Sequence, residues 1–145
     1  MRIMAYWIIK TEPGSYSWQD LERDTKTSWD GVRNYQARNN LRSMKLGDLA
    51  MVYHSVGPKE LVGIVKISRE AFSDTDPWLA VEVELVQALG RTISLLQIKE
   101  NHHLAGLSLV KQSRLSVCPV RAFEWKILMS MANWALIQSV LFFCS

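Results

Sequence analysis

Hydrophobic and polar positions alternate most clearly between Trp78 and Leu89, where Val81, Val83 and Leu85 face one way and Glu82 and Glu84 the other. A period of two predicts a half-exposed β-strand. Ala5–Lys10 reads as a buried strand ended by the turn signal Glu12-Pro13-Gly14. Asp48–Tyr53 and Leu61–Glu70 read as two more, linked through Gly57-Pro58, and Leu115–Val120 as a short one interrupted by Pro119. Helical signals lie between them. Ser17-Trp18-Gln19-Asp20 resembles a capping box with Asp in place of Glu. Asn34 is placed to cap a helix running to about Lys45, with Gly47 as its stop. Ser94–Glu100 reads as helical, as does Arg121 onward, with Phe123, Ile127 and Met131 spaced for a core face.

This order lacks regular βαβ alternation, and several strands are close enough in sequence to pair antiparallel. The expected fold class is α+β: a small curved mixed or antiparallel β-sheet, or pseudo-barrel, flanked by helices. A chain of 145 residues fits one domain. That domain is expected over residues 1–132, followed by a hydrophobic tail, 133–145. No charged residue occurs from Ile127 to Cys144. That length is the shortest that crosses a bilayer, roughly 18 residues. Ser130, Asn133, Gln138 and Ser139 weaken such a reading, and a buried helix plus tail is favoured over a membrane span.

Composition narrows the classes. The chain is 48% hydrophobic with six Trp, four Tyr and four Phe, enough for a real core and against disorder. Cys118 and Cys144 fit no metal-ligand spacing and no disulfide-rich scaffold, so neither metal nor cofactor is expected. The start, Met1-Arg2-Ile3-Met4, lacks a cleavage signature, so the expected location is cytoplasmic, or nuclear in a eukaryote. A net charge of +3 proves no anionic partner, and local clustering must decide.

The densest chemistry is Trp29-Asp30-Gly31-Val32-Arg33-Asn34-Tyr35-Gln36-Ala37-Arg38-Asn39-Asn40. Amides and guanidinium groups suit base edges and phosphates, and aromatic rings stack bases. No acidic residue interrupts Arg33, Arg38, Arg42 and Lys45. On one helix Arg38, Arg42 and Lys45 share a face, beside the stripe Ala37, Leu41 and Met44 that would pack on the core. A merely solvated basic face is the competing meaning. Tyr53-His54-Ser55, Lys10-Thr11-Glu12 and Lys111-Gln112-Ser113-Arg114-Leu115-Ser116 are further polar blocks at element ends.

Taken in order, Tyr6–Pro13, Trp29–Asn39, Tyr53–Ser55 and Val110–Val117 resemble the signature blocks of the EVE domain family, over about residues 5–131. The resemblance implies a PUA-like fold, related to modules that bind RNA or DNA and in several cases hold a flipped modified base. It implies a nucleic-acid-binding module, a reader of a modified base such as a modified cytosine; a monomer is expected. Trp29 would wall the base pocket, Asn34 and Ser55 would meet the base edge, and Lys10 and Thr11 would stand at its rim. Tyr35 would serve pocket or backbone. Arg33, Arg38 and Arg114 would contact phosphates or brace the pocket, with Arg42 and Lys45 on the backbone-facing helix. Trp7, Trp18, Trp78 and Trp125 are assigned to the core. The stretch Phe72–Pro77 is shorter than in many members, and the tail from Asn133 matches nothing in the family.

Other classes remain: an RNA-binding accessory module without base discrimination, an enzyme acting on a nucleotide, and a membrane-tethered interaction domain. Catalysis is disfavoured. His54 and Ser55 are adjacent and point to opposite faces of a strand, no nucleophile elbow or P-loop occurs, and His102-His103 have only Glu100 nearby.

Overall fold

The structure is a computed structural model of the chain and describes residues 4–132. Its elements follow in chain order: β1 (Tyr6–Thr11), α1 (Trp18–Asp24), β2 (Lys26–Trp29), α2 (Tyr35–Ser43), β3 (Leu49–His54), β4 (Glu60–Ser73), β5 (Leu79–Ser94), α3 (Leu95–Glu100), α4 (Ser108–Lys111), β6 (Val117–Val120) and α5 (Ala122–Met131). A 3-10 turn, His102–Leu104, lies between α3 and α4.

Among the described residues the strands form a six-stranded sheet in the order β2-β5-β4-β3-β1-β6. β1 and β3 run parallel, and the other neighbouring pairs antiparallel. A parallel pair needs a long crossover, which here consists of α1, β2 and α2. The sheet is therefore mixed, and the class is α+β. β3 is buried from Leu49 through Tyr53, as a strand covered on both faces must be. Register shifts along β4 and β5 mark bulges, which bend and twist long strands.

Local chemistry accounts for the helix starts. Ser17 and Asp20 close a full capping box at α1, so Asp substitutes for Glu. Asn34 accepts from the Ala37 N–H and starts α2, while Ser94 and Gln97 do the same reciprocally at α3. Ala37, Leu41 and Met44 are all fully buried, as their spacing predicted. α2 ends at Ser43, however, and Met44 turns extended. Lys45 therefore leaves the helical face it was expected to share with Arg38 and Arg42. The fully buried Asp48 carboxylate draws the chain round there, accepting from the Lys45 and Ala5 N–H groups and from the indole of Trp7.

Two core expectations need correction. On α5 the buried positions are Trp125, Leu128 and Met129, whereas Phe123 is exposed. The helix is rotated because Trp125 stacks on Tyr6 with ring centres 4.7 Å apart, and because Glu124 is buried to receive the Arg121 N–H. Ile127 and Met131 are only partly buried against the core. Trp78 is half-buried rather than core, for it packs against Tyr35 outside the sheet. Trp7, Trp18 and Trp125 are buried as expected. The tail 133–145 lies outside the described residues.

Candidate functional site

Three elements converge on one cavity of about 550 Å³: the end of β1, the turn into α1, and β2 with the residue after it. Lys10 and Thr11 come from β1, Ser15 and Tyr16 from the turn, Thr27, Ser28 and Trp29 from β2, and Asp30 closes the set. This volume lies within the usual range for small-ligand sites, roughly 300–1,000 Å³.

Two aromatic rings give it walls. Trp29 is 8% exposed, so it belongs both to the core and to the cavity lining. Tyr16 meets it edge-to-face at 6.4 Å. The Tyr16 hydroxyl donates to the Asp24 carboxylate at 2.9 Å, which fixes the ring. Burial pushes the Tyr16 hydroxyl above its ordinary pKa, so the phenol stays neutral near pH 7.

The polar groups differ in how they are held. The Lys10 ammonium donates to the Ser113 carbonyl at 2.8 Å and stands 5.9 Å from the Tyr53 ring centre. Burial lowers its pKa, with a small opposing contribution from Cys118. The Thr11 hydroxyl is spent on the Tyr16 carbonyl at 2.7 Å, so it orients the turn. Asp30 is exposed, and no hydrogen bond or ion pair engages its carboxylate among the described residues.

The fold gathers only some of the predicted residues at this cavity. Lys10, Thr11 and Trp29 line it together. Ser55 stands one layer back, donating its N–H and hydroxyl to the Thr11 carbonyl. Asn34 uses its side-chain oxygen as the helix cap. Tyr35, 60% exposed, stacks against Trp78 at 4.9 Å, outside the lining. Arg33 pairs with Asp74 at 3.0 Å, and Arg38 donates to Asn39 and, at 3.4 Å, to the Pro77 carbonyl. Arg42 and Arg114 are exposed, and Lys45 lies beside Glu70 at 4.0 Å. The segment Phe72–Pro77, short as it is, thus docks on the start of α2.

Sequence reasoning missed Tyr16, Ser15, Thr27, Ser28 and Asp30 as lining residues. Asp30 stood inside the quoted block without a role. β2 was unrecognised because Lys26-Thr27-Ser28-Trp29 buries only its last residue and sits at the sheet edge.

Among the described residues no group of His, Cys, Asp and Glu has the arrangement of a metal site. Nor is any described helix long and apolar enough to cross a membrane.

Residues 5–131 match the EVE domain family along almost the whole described chain. The chain belongs to the EVE domain family. Thymocyte nuclear protein 1 of Rattus norvegicus is 36% identical over 164 aligned residues, covering 87% of this chain and 73% of the rat protein. That alignment has more positions than this chain has residues, so the rat protein carries residues within the matched region that this EVE domain lacks. Among solved structures, human THYN1 in complex with 5-methylcytosine-containing DNA superposes with a TM-score of 0.84 at 32% identity, covering 88% of this chain and 97% of that one. The YTH domain of Zygosaccharomyces rouxii MRB1, solved with N6-methyladenosine RNA, gives a TM-score of 0.60 at 12% identity, covering 91% of this chain and 88% of that one. At that identity the likeness is one of fold alone.

Proposed function

We propose that this EVE domain is a nucleic-acid-binding reader that holds a modified base, such as a modified cytosine, in the cavity between β1, the turn before α1, and β2. The observation that carries the reading is the pairing of two aromatic walls, Tyr16 and Trp29, with the unengaged Asp30 carboxylate in one cavity. Base extrusion costs a few kcal/mol, which stacking and edge hydrogen bonds must return. The rings supply the stacking surface. Asp30 accepts from an exocyclic amine, a group cytosine and adenine carry and thymine lacks. Lys10 donates to the base or to a phosphate beside it. The human relative solved with 5-methylcytosine DNA supports the same ligand class.

The predicted residues then divide by task. Trp29, Lys10 and Thr11 form the pocket with Tyr16 and Asp30. Ser55 and Asn34 hold it from behind, one on the Thr11 carbonyl and the other at the α2 cap. Tyr35, Arg38, Arg42 and Arg114 meet the nucleic-acid backbone, and Lys45 contributes long-range charge. No step in this reading requires catalysis or a cofactor.

The test is a competition between duplexes that differ only in one 5-methylcytosine, with an RNA strand as a further arm. The methylated duplex is expected to bind more tightly, and Tyr16→Ala to remove the difference. Equal affinity for all three strands would leave an accessory binder without base discrimination.

A further inference from the structure

A second groove is lined by α1 and shares no lining residue with the first cavity, and nothing in the pocket reading uses it. It measures about 470 Å³ and is lined by Pro13, Trp18, Gln19, Glu22, His54, Pro58, Glu60, Val62, Ala88, Leu89 and Thr92. Its floor is apolar, from Val62, Ala88 and Leu89. No lysine or arginine lines it. Its only charged lining groups are Glu22 and Glu60, and no ion pair engages either among the described residues. This charge would repel a phosphate backbone.

Trp18 adds an independent observation. It is 3% exposed, yet its indole N–H is buried without a hydrogen-bond acceptor. A buried donor left unmatched costs about 1–3 kcal/mol. The ring cannot easily turn away, because it lies directly on the backbone of Gly63, where even a Cβ would clash with it. His54 is fixed as well. Its Nε2 accepts the Trp18 backbone N–H at 3.1 Å, which leaves Nδ1 as the protonated nitrogen of the neutral ring. Glu60 faces His54 across the β3–β4 pair.

We infer that this groove docks a short segment of a partner protein in which a lysine or arginine is flanked by apolar residues. The cation would sit between Glu22 and Glu60, and the apolar neighbours would pack on Val62, Leu89 and the part of the Trp18 ring that lines the groove. Nucleic acid and partner protein would then occupy separate cavities with no lining residue in common. The inference does not depend on which base, if any, the first cavity holds.

The test pans the 145-residue chain against a random peptide library displayed on phage, in parallel with its Glu22→Lys/Glu60→Lys variant. The native protein is expected to enrich Lys- or Arg-containing apolar peptides, and the variant is not. A synthetic peptide of the enriched sequence should then bind the Glu22→Gln/Glu60→Gln protein about tenfold more weakly. The same peptide, covering the ring, should shift the Trp18 indole N–H resonance, a signal identified by its loss in Trp18→Phe, while duplex DNA leaves it in place. Neither glutamate makes a side-chain hydrogen bond or ion pair among the described residues, although Glu60 stands opposite His54, and both variants should keep the native circular dichroism. Failure to enrich any peptide, equal enrichment by native and charge-reversed protein, or an unmoved Trp18 signal would overturn the inference.

Discussion

The Arg33 guanidinium donates to the Asp74 carboxylate at 3.0 Å, and the same Asp74 oxygen accepts the Gly31 N–H at 2.9 Å. One carboxylate in the β4–β5 link therefore holds the chain just after the pocket wall Trp29. Gly31 has a φ of +74°, a left-handed geometry that glycine adopts without strain. Arg33 also lies 5.6 Å from the Trp78 ring centre, and Trp78 packs on Tyr35. Arg33 is thus a brace whose charge is already matched.

That arrangement predicts how Arg33 and Arg42 differ in salt. Arg42→Ala, which removes a cation with no ion pair among the described residues, should reduce the slope of log affinity against log salt by about 1. Arg33→Ala should weaken binding with its slope nearly unchanged, because no counterion-releasing phosphate contact is lost. Binding isotherms at several salt concentrations distinguish the two, and an equal fall in slope for both variants would place Arg33 on the phosphates.

Asp74 also carries a pH dependence. The Gly31 N–H and then Arg33 hold its carboxyl below the ordinary carboxylate pKa. A group depressed in the folded state stabilises fully above its unfolded pKa of about 3.9, and that contribution disappears as pH falls through the lower, folded value. Asp74→Asn should therefore be less stable than the native protein at pH 7, and the gap in urea midpoint should close on acidification below about pH 4.

Gly63→Ala should destabilise by about 1–3 kcal/mol, since the new methyl overlaps the Trp18 ring. In Trp18→Leu the same substitution should cost less, so a double-mutant cycle by urea unfolding would show coupling between these two positions. Additive losses would mean that the ring is not seated on this glycine.

Asp48 predicts a larger effect. It is fully buried and receives the Ala5 N–H, the Trp7 indole and the Lys45 N–H. Asp48→Ala strands these donors and should cost about 3 kcal/mol or more by urea unfolding, with Asp48→Asn recovering part of it. A loss below 1 kcal/mol would contradict the role assigned to this carboxylate.

Much of the fold was legible because local chemistry and tertiary demand agree. The capping box at Ser17, the helix over Ser94–Glu100, the Asn34 cap and the stripe Ala37, Leu41 and Met44 all report through periodicity or side-chain groups near in sequence. What escaped depends on partners distant in sequence. β2 is a strand only because Lys26–Trp29 pairs with Val81–Glu84. The parallel β1–β3 pair has no local signal at all. Trp78 looked like core because a Trp at a strand start usually is, yet Tyr35 and Arg33 claim it at the surface. The α5 face was misread because Trp125 follows Tyr6 rather than helical spacing alone.

The site shows the same division. Lys10 and Thr11 were visible as a polar block at a strand end and Trp29 as an aromatic in the dense block Trp29–Asn40, and the family resemblance suggested that they share a pocket. Tyr16 was not, because it precedes a capping box and reads as the residue that staples a helix start. Only the fold brings it to Trp29.

The most direct measurement of the central claim is NMR of a duplex whose single 5-methylcytosine carries a 13C-labelled methyl group, titrated with this EVE domain. If the base enters the cavity, the methyl resonance shifts upfield in the ring currents of Tyr16 and Trp29 and shows NOEs to their ring protons. Tyr16→Ala reduces both effects. A methyl signal that stays at its free-duplex position while the DNA is fully bound would contradict the account.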